Sequence, residues 1–170
     1  VLGSRGLGDV YKRQEYMEKK ATGERKQKRI ILIGHSAAGK TTLCQYLSHE
    51  ALRYCKTQTV QIINQNMIDT PGEYIERTYM RGALMVTATD ADLIVLVQDA
   101  TDHSTIFPPA YTSMYAKPAI GVVTKADLAT DAEIADAKKY LELAGVQKIF
   151  VTSSVAGTGF EELAALLGYE

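Results

Sequence analysis

No apolar run in this chain approaches the roughly 18 residues that a membrane-spanning helix needs, and no stretch has the apolar centre of a signal peptide. Neither a membrane partner nor export is therefore expected, and the chain reads as cytoplasmic. Cysteine is scarce: there are two, Cys44 and Cys55, far from any C-x-x-C spacing, which excludes a disulfide framework and a zinc site of that kind. Cys44 is read as a core residue of the first helix. A formal net charge of −1 removes any global electrostatic argument for a nucleic-acid partner. Three histidines, His35, His49 and His103, have no metal-ligand spacing and are assigned structural or solvent roles. What remains is 170 residues, 46% of them hydrophobic, enough for one domain with a full core.

The two ends of the leader differ from the rest. Asp9-Val10-Tyr11-Lys12-Arg13-Gln14 resembles one reading-frame translation of a transposon end used in sequencing libraries, and the Gly, Leu, Ser and Arg run before it has neither helical nor strand period. Residues 1–14 are set aside as a foreign leader, with Met17 a candidate start. Residues 15–28 are a polar leader rich in Lys, Glu and Gln. The domain proper is expected over 29–170.

Its organising stretch is Arg29 to Thr42. An apolar strand, Ile30 to Ile33, runs into Gly34-His35-Ser36-Ala37-Ala38-Gly39-Lys40-Thr41-Thr42, which fits G-x-x-x-x-G-K-[ST]. Glycine at 34 and 39 allows a sharp turn with backbone N–H groups aimed inward at phosphate. Lys40 adds a point charge for the outer phosphates, the Thr41 hydroxyl is a Mg²⁺ ligand, and the following helix offers its N-terminus. A nucleoside triphosphate is the implied ligand. The helix is expected to run to about His49 or Leu52.

A threonine that reaches Mg²⁺ and the last phosphate is expected next. Thr57 is the first candidate and Thr59 the second, because Thr59 to Ile63 alternates like a half-buried strand. After a turn at Asn64-Gln65, Asn66-Met67-Ile68 leads into Asp69-Thr70-Pro71-Gly72. An aspartate ending a buried strand opposite the loop can hold Mg²⁺ through water, and Gly72 leaves its N–H for the last phosphate. Glu73 stands where many nucleotide switches carry a water-orienting glutamine. It is either a catalytic substitute or an acid at a helix N-terminus, and repulsion from a triphosphate favours the second. A helix is expected from Ile75 to Thr89, with Arg77 and Arg81 on its solvated face.

Ala91 to Val97 and Ala119 to Val123 are continuous apolar strands, as in a parallel sheet covered on both faces. Between them, Tyr111, Met114 and Tyr115 at i, i+3 and i+4 read as core packing. The second strand delivers Thr124-Lys125-Ala126-Asp127. Asp127 can accept from N1–H and the exocyclic amine of guanine while Lys125 lies along the ring. Two such bonds at roughly 1.5–3 kcal/mol each imply about 10²–10⁴-fold selection against adenine. Thr124 replaces the more usual asparagine and is expected to brace less well. Asp131 to Ala144 is an amphipathic helix with Ile134, Tyr140 and Leu141 inward, stopped by Gly145. Val146 to Val151 is the last strand, and Ser153 and Ser154 follow where an N–H can meet guanine O6.

These elements in this order resemble a Ras-like P-loop GTPase domain over about residues 29–168. The wording Lys56-Thr57-Gln58, Asp69 to Tyr74, Ala83-Leu84 and Thr124-Lys125-Ala126-Asp127 is similar to the EutP/PduV family. The resemblance implies an α/β, three-layer P-loop NTPase fold with a mostly parallel central sheet and helices on both faces. It also implies a bacterial setting of ethanolamine or propanediol utilisation, with association to a protein-shelled microcompartment. Ser36 and Ala37 replace glycines common in Ras-like loops, which points to altered loop geometry and slow hydrolysis. Ala37 also lacks the asparagine of potassium-stimulated relatives, so no K⁺ is expected.

The leading expectation is a slow Mg²⁺-dependent GTPase or switch cycling between GTP and GDP, with Lys40, Thr57, Gly72 and Glu73 acting at the reacting phosphate. Two alternatives stand beside it. One is a kinase for a small carboxylate such as acetate. The other is a nucleotide-dependent docking module for shell proteins or pathway enzymes, presenting residues 99–117.

Overall fold

The structure, a computed structural model, describes residues 27–48, 60–63 and 66–169. Thr57, Thr59, Cys55, the Asn64-Gln65 turn, His49, Leu52 and the leader through residue 26 lie outside the described residues.

Six strands form one sheet in the order β2-β3-β1-β4-β5-β6. They are β1 Ile30–Gly34, β2 Gln61–Ile63, β3 Met67–Asp69, β4 Leu93–Asp99, β5 Ala119–Thr124 and β6 Ile149–Val151. All neighbours run parallel except the edge pair β2 and β3. The expected α/β fold is therefore present, and the strand runs were apolar because both sheet faces are covered. Alternate residues of β1 serve opposite faces: Ile30 and Leu32 join Leu43, Leu47, Phe160 and Leu163, while Ile31 and Ile33 join Ile75, Leu84, Tyr111 and Leu141.

The helices are α1 Lys40–Leu47, α2 Glu73–Glu76, α3 Arg81–Ala88, α4 Asp131–Ala144 and α5 Glu161–Leu167. β1 sits between β3 and β4, so the chain leaves it at the point where strand order reverses. Ligands of such sheets gather at the carboxyl ends of the strands there. The Tyr169 hydroxyl donates to the Lys28 carbonyl at 3.0 Å and Lys28 N–H to the Leu167 carbonyl at 3.0 Å, tying the last helix to the entry of β1.

Several expected boundaries move. α1 ends at Leu47, with Ser48 N–H closing on the Cys44 carbonyl. β4 starts at Leu93 because Asp92 N–H turns to the Arg29 carbonyl at 2.7 Å, and it extends to Asp99, which pairs with Thr124. β6 is confined to Ile149–Val151. α4 matches its predicted limits: Thr130 and Glu133 form a capping box, and Gly145 stops it. Leu141 is buried, whereas Ile134 is half-buried and Tyr140 turns its hydroxyl to the His103 carbonyl.

The predicted helix from Ile75 to Thr89 is the largest correction. It is broken at Arg77, which is extended (φ −98°, ψ 119°), and a 3₁₀ turn, Thr78–Met80, separates α2 from α3. Arg81 Nε donates to the Ile75 carbonyl at 2.9 Å, taking an acceptor that a continuous helix would use internally. Apolar period alone did not carry this information. Residues 111–114 make one 3₁₀ turn, too short to present a stripe. Tyr111 is buried and bonds Tyr115 hydroxyl to hydroxyl at 2.8 Å, but Met114 is 47% exposed, correcting its assignment to the core.

Candidate functional site

The loop between β1 and α1 folds as its glycines require. Gly39 has φ 96°, a left-handed conformation that disfavours any side chain. Gly34 is needed for a different reason: a Cβ there would lie 2.5 Å from the Val97 carbonyl oxygen on β4. Ala37 adopts φ 62°, a left-handed conformation that a residue with a Cβ disfavours. Ala38 N–H closes the turn onto the His35 carbonyl at 3.1 Å. Thr42 lies half-buried in the first turn of α1.

Lys40 is 5% exposed, and its ammonium donates to the Gly34 carbonyl at 2.9 Å and the His35 carbonyl at 2.8 Å. Burial pulls its pKa down to about 8, against the raising effect of Asp69, Glu76 and Cys44. The buried cation is thus poised under the loop for an anion. At the head of α1, the Thr41 hydroxyl donates to Asp69 Oδ2 at 2.5 Å across from the end of β3. Asp69 itself is fully buried. A hydroxyl beside a buried carboxylate is a hard-oxygen set that suits Mg²⁺, which typically takes one or two protein ligands and completes its shell with water and phosphate. Among the described residues no group of three or more His, Cys, Asp or Glu side chains gathers in one place. Thr70 Oγ1 donates to the Leu32 carbonyl at 2.5 Å, fixing the turn that follows Asp69 onto β1.

Gly72 is pressed against the loop: a Cβ added to it would fall 2.3 Å from Ser36 N. Glu73 opens α2 and is half-buried. The acid seated on the loop is Glu76 instead, whose Oε1 accepts the Ser36 N–H at 2.7 Å and lies 3.3 Å from His35 Nδ1. Partial burial pushes the Glu76 carboxyl upward but is outweighed by the Ser36 hydrogen bonds, then His35 and Lys40, so it sits below the ordinary carboxylate value. His35 therefore has a carboxylate neighbour that its surroundings in sequence did not suggest. Arg77 donates to the Tyr79 hydroxyl at 3.0 Å and Arg81 to Ile75, so both serve their own segment.

The second corner lies at the ends of β5 and β6. Thr124 Oγ1 donates to the Ala38 carbonyl at 2.5 Å, so the threonine does reach the loop, with a shorter side chain than asparagine. Lys125, left-handed at φ 57°, donates to the Ala37 carbonyl at 2.7 Å and pairs with Asp99 at 2.6 Å. Asp127 Oδ1 accepts from Ser153 Oγ at 2.6 Å, and Ser153 also accepts from Ala156 N–H at 3.0 Å. Backbone bonds at 3.1 Å in both directions between Ser153 and Thr158 close the loop that contains Ser154.

Two residues escaped the sequence reading. Asp99 was recoverable in principle, because an acid ending a buried strand in register with Thr124 faces the Thr124-Lys125 segment. Glu76 was not, since its role depends on a helix break that periodicity conceals.

Comparison with known proteins identifies the family. Residues 27–168 match the family described as "Ethanolamine utilisation - propanediol utilisation". The chain is 44% identical over 140 residues to propanediol utilization protein PduV of Citrobacter freundii, covering 82% of this chain and 93% of that one. It is 34% identical over 122 residues to the protein named "Probable acetate kinase EutP" in Escherichia coli K12, covering 71% and 76%. Among solved structures, translation elongation factor SelB of Methanococcus maripaludis, in complex with the GTP analogue GppNHp, superposes with a TM-score of 0.60 at 24% identity. That match covers 83% of this chain but 33% of the elongation factor, and it speaks for the fold. With the family match spanning nearly the whole described domain, the chain belongs to the PduV–EutP family of ethanolamine and propanediol utilisation.

Proposed function

We propose that this chain binds GTP or GDP with Mg²⁺ and hydrolyses GTP slowly, as a nucleotide-state protein of ethanolamine or propanediol utilisation. The observation that carries this reading is the coupling of two corners. Lys125 and Thr124, beside the base-reading Asp127, bond directly to the Ala37 and Ala38 carbonyls of the loop above Lys40. A ligand with a base at one end and phosphates at the other matches that spacing of chemistry. Lys40 and the loop N–H groups hold phosphate, Thr41 and Asp69 hold Mg²⁺, and the metal when bound neutralises charge on the outer phosphates. Asp127 reads guanine, with Ser153 fixing its carboxylate and Ser154 following in the loop that approaches the base. Thr57 and Gly72 sense the last phosphate, and Glu73 stands near the attacking water.

A second reading comes from the relatives' name. A carboxylate kinase would pass the last phosphoryl group to acetate instead of water, and the seat that Ser36 N–H gives to the Glu76 carboxylate favours a loop that tolerates such a group. The third reading, a docking module presenting residues 99–117, has less support: Phe107 and Tyr111 are buried there. Ala110 N–H and Thr112 Oγ1 also bond back to Leu143 and Gly145. The proposed cytoplasmic setting with association to a microcompartment is supported by the family setting alone. No helix among the described residues is long and apolar enough to cross a membrane.

The test is to incubate the chain with Mg²⁺ and GTP or ATP, with and without acetate, and to follow free phosphate and acyl phosphate together. Free phosphate from GTP, indifferent to acetate, is the expected result. Acetate-dependent acyl phosphate, trapped as its hydroxamate, would replace hydrolysis by the kinase reading. Release from ATP equal to that from GTP would remove Asp127 as the determinant of base choice.

A further inference from the structure

Glu76 has no part in the proposed binding and hydrolysis of GTP, yet it holds one of the loop's own anion donors. Its Oε1 accepts the Ser36 N–H at 2.7 Å, with His35 Nδ1 3.3 Å away. The segment that carries it is closed onto the loop as well, because Gly72 leaves no room even for a methyl group against Ser36 N. The break at Arg77 and the Arg81 bond to Ile75 hold α2 as a separate short turn, which lets Glu76 point at the loop instead of following the axis of α3.

Position decides what this contact competes with. Ser36 is on the entering limb of the loop, away from Gly39, Lys40 and the first turn of α1, where inner phosphates are held by the helix N-terminus. It faces Gly72, the residue through which a last phosphate is sensed in such sites. A backbone N–H can serve one anion well, and two anions side by side repel.

We propose that Glu76 sets the preference between nucleoside di- and triphosphate: its carboxylate occupies the Ser36 N–H beside Gly72, so a third phosphate must displace it whereas a diphosphate leaves it in place. The inference rests on the nucleotide reading above. Glu76 acts as a specificity residue, lowering affinity for the triphosphate until that contact is broken, and the same displacement reports the nucleotide state to Arg77, Tyr79 and α3.

Calorimetric titration with Mg²⁺ and either GDP or the imido analogue of GTP, on wild type, Glu76→Gln and Glu76→Ala, tests it. Glu76→Ala is expected to bind the analogue about tenfold more tightly, as befits removal of one charge-assisted contact, with GDP affinity changed less than about twofold. Glu76→Gln, which keeps shape without charge, should fall between. If Glu76→Ala does not fold, as judged by circular dichroism, the Gln variant decides by the same ratio. An unchanged ratio of the two affinities in the variants, or weaker binding of the analogue, overturns the inference while leaving nucleotide binding intact. Failure of wild type to bind either nucleotide overturns the nucleotide reading and this inference with it.

Discussion

The two ends of the candidate site are built on different principles. At the base end, side chains at and just beyond the ends of β4, β5 and β6 bond to one another and to the loop: Thr124 to Ala38, Lys125 to Ala37 and Asp99, Thr152 to the Val123 carbonyl, and Ser153 to Asp127. These bonds join segments that leave neighbouring strands of the sheet, so moving one residue disturbs several. At the phosphate end, residues 72–76 rest on the loop through Glu76 and the close approach of Gly72, and are tied behind by Arg81. Beyond them Tyr79 and Val86 are 76% and 72% exposed. On the proposed reading, the base end would act as a preformed reader and the phosphate end as a clasp that opens without unfolding the sheet.

Disabling each end separately gives the largest effects. Lys40→Ala removes the buried cation and should lower affinity for GTP and GDP alike by at least about 10³-fold, measured by calorimetry. Asp127→Asn can still accept from Ser153, so the corner stays built while base choice changes. GTP affinity should drop roughly 10²-fold and xanthine nucleotides should gain. Equal loss of both nucleotide types in Asp127→Asn would mean that the residue supports the loop and does not read the base.

The next contrast uses two glycines at which an added Cβ would clash with backbone. A Cβ at Gly159, which has φ 82°, would lie impossibly close to the Val151 carbonyl oxygen at the end of β6, where the strand cannot yield. Gly159→Ala should destabilise the chain by about 3 kcal/mol, a fall of about 6–12 °C in Tm. A Cβ at Gly72 would fall 2.3 Å from Ser36 N, but Gly72 has an ordinary φ of −56° and belongs to the short segment proposed to move off the loop. Gly72→Ala should cost about 1 kcal/mol or less and lower Tm by under about 4 °C. Scanning calorimetry distinguishes them. Equal losses would show that the clasp is as rigid as the base reader.

This difference also explains what the sequence made legible. That the loop, Asp69 and the Thr124 to Asp127 corner come together could be read because motifs of fixed residue type sit at short spacing next to long apolar strands. α4 could be read to its ends because Thr130, Glu133 and Gly145 are local signals. The 72–88 segment could not, because its shape comes from contacts distant in sequence. Glu76 reaches Ser36 forty residues away in the chain, and Arg81 competes for the Ile75 carbonyl. Apolar residues at helical spacing are compatible with one helix or two, and tertiary bonding chose two. Ala37 was noticed as a departure, but its left-handed conformation is dictated by the loop and not by alanine.

The smallest predicted effect isolates the clasp by acid. The Glu76 carboxyl is held below its ordinary value of 4.5 by Ser36, with His35 and Lys40 also facing it, so the folded state favours its ionised form. Its contribution is therefore fully present above the unfolded-state pKa and is lost as pH falls through the lower folded-state value. Urea unfolding at pH 7 should find Glu76→Gln less stable than wild type by about 1 kcal/mol or less, the range of a charge-assisted bond at a partly exposed site. That difference should shrink as pH is taken below 4.5 and vanish once wild-type Glu76 is itself protonated. A difference independent of pH would assign the Glu76 contact to shape, leaving charge without a part in closing the clasp.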